Sequence, residues 1–197
     1  MRIIGVTGGV GAGKSAVLDY LEEHYGALRI EADQVGHEVM EPGAIAYDPV
    51  LAAFGQDIVS PDGKIDRKAL GNMVFADEEK RLLLNSIIHP AVKREILRRL
   101  HEAERKGETL AVVEAALFLE EHYEAFCDET WYIYTKEENR RQRLRESRGY
   151  SEKRIDALLH SQRTHEEFLA RCDRVIDNNG SVEETRRQVD AVLQQRN

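Results

Sequence analysis

Short runs of apolar residues alternate with longer amphipathic stretches along the chain, and this alternation predicts an α/β fold. One amphipathic stretch places Val17, Leu18 and Leu21 on one helical face and closes at Gly26, a residue type common at helix ends. Strands that alternate with helices favour a parallel sheet covered on both faces, so we expect a three-layer sandwich around five parallel strands. The runs typical of buried strands are "RIIGVT" (2–7), "ALRIEAD" (27–33), "LAVV" (110–113), "ETWYIYT" (129–135) and "DRVIDNNG" (173–180).

Most of the remaining chain has a helical pattern. We expect a bend at His89, because proline biases the preceding residue away from the helical conformation and Pro90 follows it. The predicted helical regions are a short helix that follows Asp33 and stops at Pro42, the segment 48–107 interrupted by the turn "SPDGK" (60–64) and by His89-Pro90, a long charged region over 136–171, and a terminal helix over 182–195.

Length and charge restrict the class of protein. The 197 residues predict one domain, or one core with insertions. The net charge of −8, from 28 basic and 36 acidic residues, argues against general binding to nucleic acid or to anionic membranes. Cys127 and Cys172 form no C-x-x-C pattern, and no apolar run approaches the length of a membrane span. We therefore expect a cytoplasmic protein.

The stretch "GGVGAGKS" (8–15) matches the phosphate-loop (P-loop) pattern G-x-x-x-x-G-K-[ST]. In that pattern successive backbone N–H groups and the following helix N-terminus surround a phosphate. A glycine-rich turn with an incidental lysine is the weaker alternative, because a strand precedes this stretch and an amphipathic helix follows it. We expect Lys14 to reach the β- and γ-phosphates of a nucleoside triphosphate, and Ser15 to bind Mg²⁺. The residues expected to contact the nucleotide in this segment are Gly11, Ala12, Gly13, Lys14, Ser15 and Ala16.

The P-loop alone leaves three classes open, namely a small-molecule kinase, a GTPase or other switch, and a remodelling ATPase. A GTPase would carry an N-K-x-D motif on a late strand, and "DNNG" (177–180) has no such lysine. A remodelling ATPase usually needs a longer chain. Size and pattern favour a kinase.

Five segments in order, "GVTGGVGAGKS", "ADQVG", "IIHPAV", "ALFLE" and "IDNNG", resemble the dephospho-CoA kinase family over essentially the whole chain. The resemblance implies ATP-dependent phosphorylation of the 3′-hydroxyl of the ribose of dephospho-CoA, with ATP and dephospho-CoA as partners. Another P-loop kinase for nucleosides, nucleotides or small metabolites is the alternative, followed by an ATP-binding switch. The implied organisation is a single P-loop domain, either a monomer or a weak homo-oligomer. Its parts are a core (about 1–47, 108–137 and 172–197), a helical acceptor-binding insertion (about 48–107) and a lid (about 138–162).

Two carboxylates follow predicted strands at the edge where open parallel sheets bind ligands. Asp33 could accept the proton of an attacking hydroxyl or cap the helix that starts near Gln34, and the resemblance favours the catalytic role. Glu114 could assist Mg²⁺ binding or form only a salt bridge, and many relatives carry aspartate there.

The resemblance also implies that His89 binds the acceptor, and we assign Thr7 to acceptor binding as well. Arg140 and Arg148 are our candidates for lid arginines that stabilise the transferring phosphoryl group, since planar guanidinium groups hold phosphate oxygens well. Their neighbours in the segment "ENRRQRLRESR" (138–148) could equally pair with local glutamates on a solvated face.

Asn178 and Gly180 lie at the end of the last strand, where we expect backbone contact with adenine. Gln162 resembles a glutamine that recurs in the family, and the sequence does not indicate its role. Ala16 stands where relatives commonly carry threonine, so Ser15 must bind Mg²⁺ without a neighbouring hydroxyl.

Overall fold

The computed structural model describes residues 1–195. The strands are β1 (Arg2–Thr7), β2 (Leu28–Glu31), β3 (Leu110–Glu114), β4 (Glu129–Tyr134) and β5 (Arg174–Asp177). The helices are α1 (Lys14–Tyr25), α2 (Ala32–Glu38), α3 (Tyr47–Phe54), α4 (Arg67–Ala76), α5 (Glu78–Arg105), α6 (Glu137–Arg148), α7 (Glu152–His160), α8 (His165–Arg171) and α9 (Val182–Gln194).

The strands form one parallel sheet in the order β2-β3-β1-β4-β5, which confirms the predicted five-stranded α/β architecture. β1 lies between β3 and β4, with Val6 opposite both Glu114 and Trp131. The carboxyl ends of these strands therefore meet at one edge of the sheet, and the P-loop that follows Thr7 begins at the middle of that edge.

The chain divides into two compact units, the first of which contains Met1–Arg29 and the chain from Gly107 onwards. Its core is built from apolar side chains of β1, β3, β4 and β5 and of the helices α1 and α9. Two tyrosines also join α1 to α9, because the hydroxyls of Tyr20 and Tyr25 donate to Oδ1 of Asp190 at 2.8 and 2.7 Å. Core residues at most 1 % exposed include Ile4, Val6, Val17, Leu21, Val112, Trp131, Ile133, Ile176 and Val189.

The second unit, Ile30–Lys106, contains α2, α3, α4 and α5. It begins before residue 48, where we placed the start of the helical insertion. Its longest element is α5, against which α2, α3 and α4 pack. The buried face of α5 is formed by Ala91, Val92, Ile96, Leu100 and Ala103.

The predicted break at His89-Pro90 is wrong, because Pro90 lies inside the continuous helix α5. A proline in a helix removes one backbone hydrogen bond and crowds the preceding turn. Here Pro90 is itself exposed, whereas Val92 and Ile96 continue the buried face directly beyond it. Burial of that face against the other helices of the unit offsets the local cost.

One further boundary differs from the predicted one. β2 ends at Glu31 and α2 begins at Ala32, so Asp33 lies in a helix and not at the end of a strand. The predicted helical region 136–171 consists of the three helices α6, α7 and α8. Gly149 ends α6 in a left-handed conformation, and the Ser151 side chain accepts from the Arg154 N–H to begin α7.

None of the helices between residues 1 and 195 combines the length and the apolar character that crossing a bilayer requires.

Partial burial predicts that both cysteines react slowly in the folded protein. It raises the pKa of Cys127 and of Cys172 to about 12, whereas an exposed thiol titrates near 8.5 and reacts as its thiolate. At pH 8 we expect iodoacetamide to label the native protein about a thousandfold more slowly than the urea-unfolded protein. Mass spectrometry of both samples measures the difference, and rapid labelling of the native protein would contradict the burial of these thiols.

Candidate active site

The P-loop connects β1 to α1 through glycines with unusual backbone angles. Gly11 and Gly13 have φ values of 81° and 84°, in the left-handed region that side chains disfavour. Gly13 immediately precedes α1 and has no side chain to cap it, so the N–H groups of the first turn receive no side-chain acceptor from that position. The loop and the helix N-terminus thus form a concavity of backbone donors suited to an anion.

Every second carbonyl of the P-loop accepts a hydrogen bond from a cationic side chain. Lys14 Nζ donates to the Gly8 carbonyl at 2.8 Å, and Arg140 Nε donates to the Val10 carbonyl at 2.9 Å. Arg143 Nη1 donates to the Ala12 carbonyl at 3.2 Å. Three positive groups therefore surround this loop in a protein with an overall negative charge.

Lys14 also forms an ion pair with Glu114, the last residue of β3, at 3.3 Å between Nζ and Oε1. Both side chains are largely buried. The structure therefore supports the salt-bridge role for Glu114, and its role with Mg²⁺ stays a prediction. Ser15 is exposed in the first turn of α1, where its hydroxyl is accessible to a ligand.

Arg140 lies over the P-loop, and its role as a lid arginine stays a prediction. Its guanidinium covers Gly9 so closely that a Cβ at Gly9 would lie 2.3 Å from Arg140 Nη2. Nη2 also donates to Oε1 of Gln162, which in turn accepts from the Val10 N–H at 3.2 Å. Burial lowers the pKa of Arg140 below its ordinary value, although an arginine so shifted stays charged at neutral pH.

The other arginines of α6 divide between two faces. Arg141 forms ion pairs with Glu137 and Asp156 on the solvated side, and Arg148 is exposed at the end of the helix. Arg143 contacts the P-loop and was missing from our sequence-based candidates. Its spacing of three residues from Arg140 places both on one helix face, and this signal could have identified it.

Asn178, just beyond β5, is buried against the P-loop. Its Nδ2 donates to the Ala12 carbonyl at 2.7 Å, and its Oδ1 accepts from the Thr185 hydroxyl at 2.8 Å. A Cβ at Gly13 would lie 2.3 Å from Asn178 Nδ2, so only glycine fits there without displacing the amide. The side chain therefore has a structural role in the loop, and its backbone contact with adenine stays a prediction.

Two further candidates of this unit occupy strand-end positions. Thr7 is buried at the end of β1, opposite Tyr132. A Cβ at Gly180 would lie 2.0 Å from Oε2 of Glu184, an oxygen that accepts from the Ser181 N–H in the capping box of α9. The lack of a side chain at Gly180 thus makes room for the cap of the terminal helix.

The second unit carries Asp33 and His89. Asp33 is exposed in the first turn of α2, and its carboxylate forms no hydrogen bond or ion pair with any residue between 1 and 195. Glu31 occupies the position before that helix, so the alternative of Asp33 as its cap is wrong. His89 is half-buried on α5, the helix against which α2 packs.

Comparisons with known proteins agree with one another. A family model described as dephospho-CoA kinase matches residues 2–184. Dephospho-CoA kinase of Geobacter sulfurreducens is 42 % identical over 196 residues, which cover 100 % of this chain and 99 % of that protein. The crystal structure of TT1252 from Thermus thermophilus is similar with a TM-score of 0.81 and 29 % identity, over 100 % of this chain and 98 % of that one. Dephospho-CoA kinase from Campylobacter jejuni is similar with a TM-score of 0.73 and 26 % identity, over 99 % and 97 % of the two chains.

Proposed function

The chain belongs to the dephospho-CoA kinase family, and on that premise we propose that it transfers the γ-phosphoryl group of ATP to the 3′-hydroxyl of the ribose of dephospho-CoA. The products are coenzyme A and ADP, so the reaction completes the synthesis of coenzyme A. The observation that carries the proposal is the P-loop, where Gly13 leaves the first N–H groups of α1 without a side-chain cap and Lys14 lies beside them. The chain matches the family over residues 2–184.

The first unit binds the donor in this proposal. The segment Gly11 to Ala16 and the ammonium of Lys14 hold the β- and γ-phosphates, because this concavity concentrates positive partial charge. Its N–H donors to the phosphates are those of Gly11, Gly13, Lys14 and Ser15, since the N–H groups of Ala12 and Ala16 donate to the carbonyls of Gly9 and Gly13. Asn178 and Gly180 contribute backbone groups near adenine. Arg140 lies over Gly9 with its charge retained, and it stabilises the negative charge that spreads over the transferring group.

The residues at the P-loop fit Mg²⁺. Ser15 offers an exposed hydroxyl, and Glu114 is a carboxylate on the neighbouring strand. Phosphate oxygens of the nucleotide and water would supply the remaining ligands, as is usual for this ion. Mg²⁺, when bound, neutralises charge on the β- and γ-phosphate oxygens.

The second unit supplies the acceptor side of the reaction. Asp33 orients the 3′-hydroxyl and accepts its proton, for which its exposed carboxylate is available. His89 binds the acceptor. In the first unit, Thr7 is a further residue proposed to bind the acceptor, and Arg148 is a further candidate to contact the phosphates. Catalysis consists of positioning and electrostatic stabilisation, without a covalent enzyme intermediate. We propose a cytoplasmic enzyme, monomeric or weakly homo-oligomeric, that binds neither nucleic acid nor membranes.

The acceptor is tested by ADP release in a coupled assay with ATP and Mg²⁺. We expect turnover with dephospho-CoA and a kcat/KM at least about a hundredfold lower with a panel of nucleosides, nucleotides and sugars, a lower bound on the discrimination that a site with polar substrate contacts provides. Turnover with another acceptor alone would replace the proposed substrate. ATP binding without any acceptor-dependent turnover would favour an ATP-binding switch.

The role of Asp33 is tested by Asp33→Asn, which keeps the size of the side chain and removes its basicity. We expect kcat to fall by about 100- to 10,000-fold, the range for loss of a general base, with the KM for ATP changed less than about threefold. Glu108→Gln neutralises an exposed carboxylate in the loop before β3 and serves as the control. An unchanged kcat for Asp33→Asn would exclude Asp33 as the base.

A further inference from the structure

The Ala12 carbonyl of the P-loop accepts hydrogen bonds from three side chains. The donors are the Thr135 hydroxyl at 2.9 Å, Asn178 Nδ2 at 2.7 Å and Arg143 Nη1 at 3.2 Å. They come from the end of β4, the end of β5 and helix α6, so three separate parts of the first unit meet at one oxygen. A carbonyl oxygen has only two lone pairs, so three donors are more than its hydrogen bonding requires.

The three donors also hold one another in place. Arg143 Nη2 donates to the Asn178 carbonyl at 2.7 Å, while its Nη1 lies 3.3 Å from the Thr135 hydroxyl. The Thr185 hydroxyl donates to Asn178 Oδ1 and thereby turns Nδ2 of the same amide towards Ala12. Thr135, Asn178 and Thr185 are all buried, which strengthens these contacts and fixes their geometry.

We call the Ala12 carbonyl and its three side-chain donors the Ala12 anchor. Because the peptide group is planar, this anchor also fixes the direction of the N–H group of the same peptide. In a trans peptide the carbonyl and the following N–H point in opposite directions. The Gly13 N–H therefore points away from the three donors. Gly13 has a φ of 84°, and glycine adopts either sign of φ readily, so its own conformational preference does not determine which way this peptide faces.

We propose that Arg143, Thr135 and Asn178 are positioning residues that orient the Ala12–Gly13 peptide so that the Gly13 N–H faces the phosphates of the nucleotide. Their side chains act through the loop backbone and not by contact with the ligand. Arg143 has the widest reach of the three, because its guanidinium contacts Ala12, Thr135 and Asn178 together. The proposal rests on the proposed use of ATP by this site.

Binding of inorganic tripolyphosphate and of ATP, each measured by titration calorimetry with Mg²⁺, tests this role. Tripolyphosphate has the phosphates without the nucleoside, so it reports on the loop alone. We expect Arg143→Met and Thr135→Val each to weaken both ligands by a similar factor, about 10- to 100-fold, as for loss of a hydrogen bond that organises a charged contact. The KM for dephospho-CoA should change less than about threefold.

Matched controls separate this effect from general damage. Arg145→Met removes an arginine of the same helix whose contact is an ion pair with Glu152, and Thr130→Val removes a buried hydroxyl within β4. Both controls should bind tripolyphosphate within about twofold of the unchanged protein. Thermal unfolding of every variant shows which are folded, and Thr135→Val, which is nearly isosteric, decides the question if Arg143→Met does not fold.

Three results would overturn the proposal. Weaker binding of ATP with unchanged binding of tripolyphosphate would mean that these side chains contact the nucleoside. If the variants bound both ligands as tightly as the unsubstituted protein, the Ala12 anchor would not control the loop. If the unsubstituted protein bound neither ligand, the P-loop would not be a phosphate site. Normal ATP binding without phosphorylation of dephospho-CoA would refute the proposed acceptor and leave the positioning role intact.

Discussion

The P-loop must pair its backbone carbonyls within the protein while leaving N–H groups of the same peptides available to an anion. An anion site needs N–H groups that no protein acceptor occupies, yet the carbonyls of the same peptides have to be paired where they are buried. The structure meets both demands by tying the carbonyls of Gly8, Val10 and Ala12 to Lys14, Arg140 and Arg143. The glycine positions permit this alternation because they tolerate left-handed backbone angles.

The parallel sheet supplies the groups that hold the loop from outside. Glu114 ends the strand on one side of β1, and the segments after β4 and β5 provide Thr135 and Asn178 on the other. Helix α6 adds Arg140 and Arg143 from a single face. Phosphoryl transfer requires little covalent chemistry from a protein, so accurate positioning of these charges is the main contribution that the first unit can make.

The second unit has a different character. Its helices pack on α5, and the carboxylate of Asp33 stays exposed in the first turn of α2. Because this carboxylate has no protein partner within residues 1–195, both of its oxygens are available for a hydroxyl. In the proposed reaction the side chains around the P-loop are paired with one another, whereas Asp33, the proposed base, is available to the acceptor.

Local patterns predicted the strands, the P-loop and the buried face of α1, since each depends on residues close together in sequence. Local bias failed at Pro90, where packing of α5 against neighbouring helices outweighs the preference of one residue. It also failed at Asp33, because the helix starts two residues earlier than its sequence indicates. Arg143 was recoverable from helical spacing.

The partnership of Thr135 and Asn178 with Ala12 was not recoverable, since more than a hundred residues separate each from that carbonyl. Only the order of strands in the sheet brings them together.

The position of the new phosphate in the product tests the central claim most directly. After incubation of the protein with ATP, Mg²⁺ and dephospho-CoA, a phosphorus–proton correlation spectrum of the purified product identifies the carbon that bears the added phosphate. The account predicts a correlation to the ribose 3′ proton. A phosphate on the 2′-hydroxyl or on the pantetheine arm, or the absence of any phosphorylated product, would contradict it.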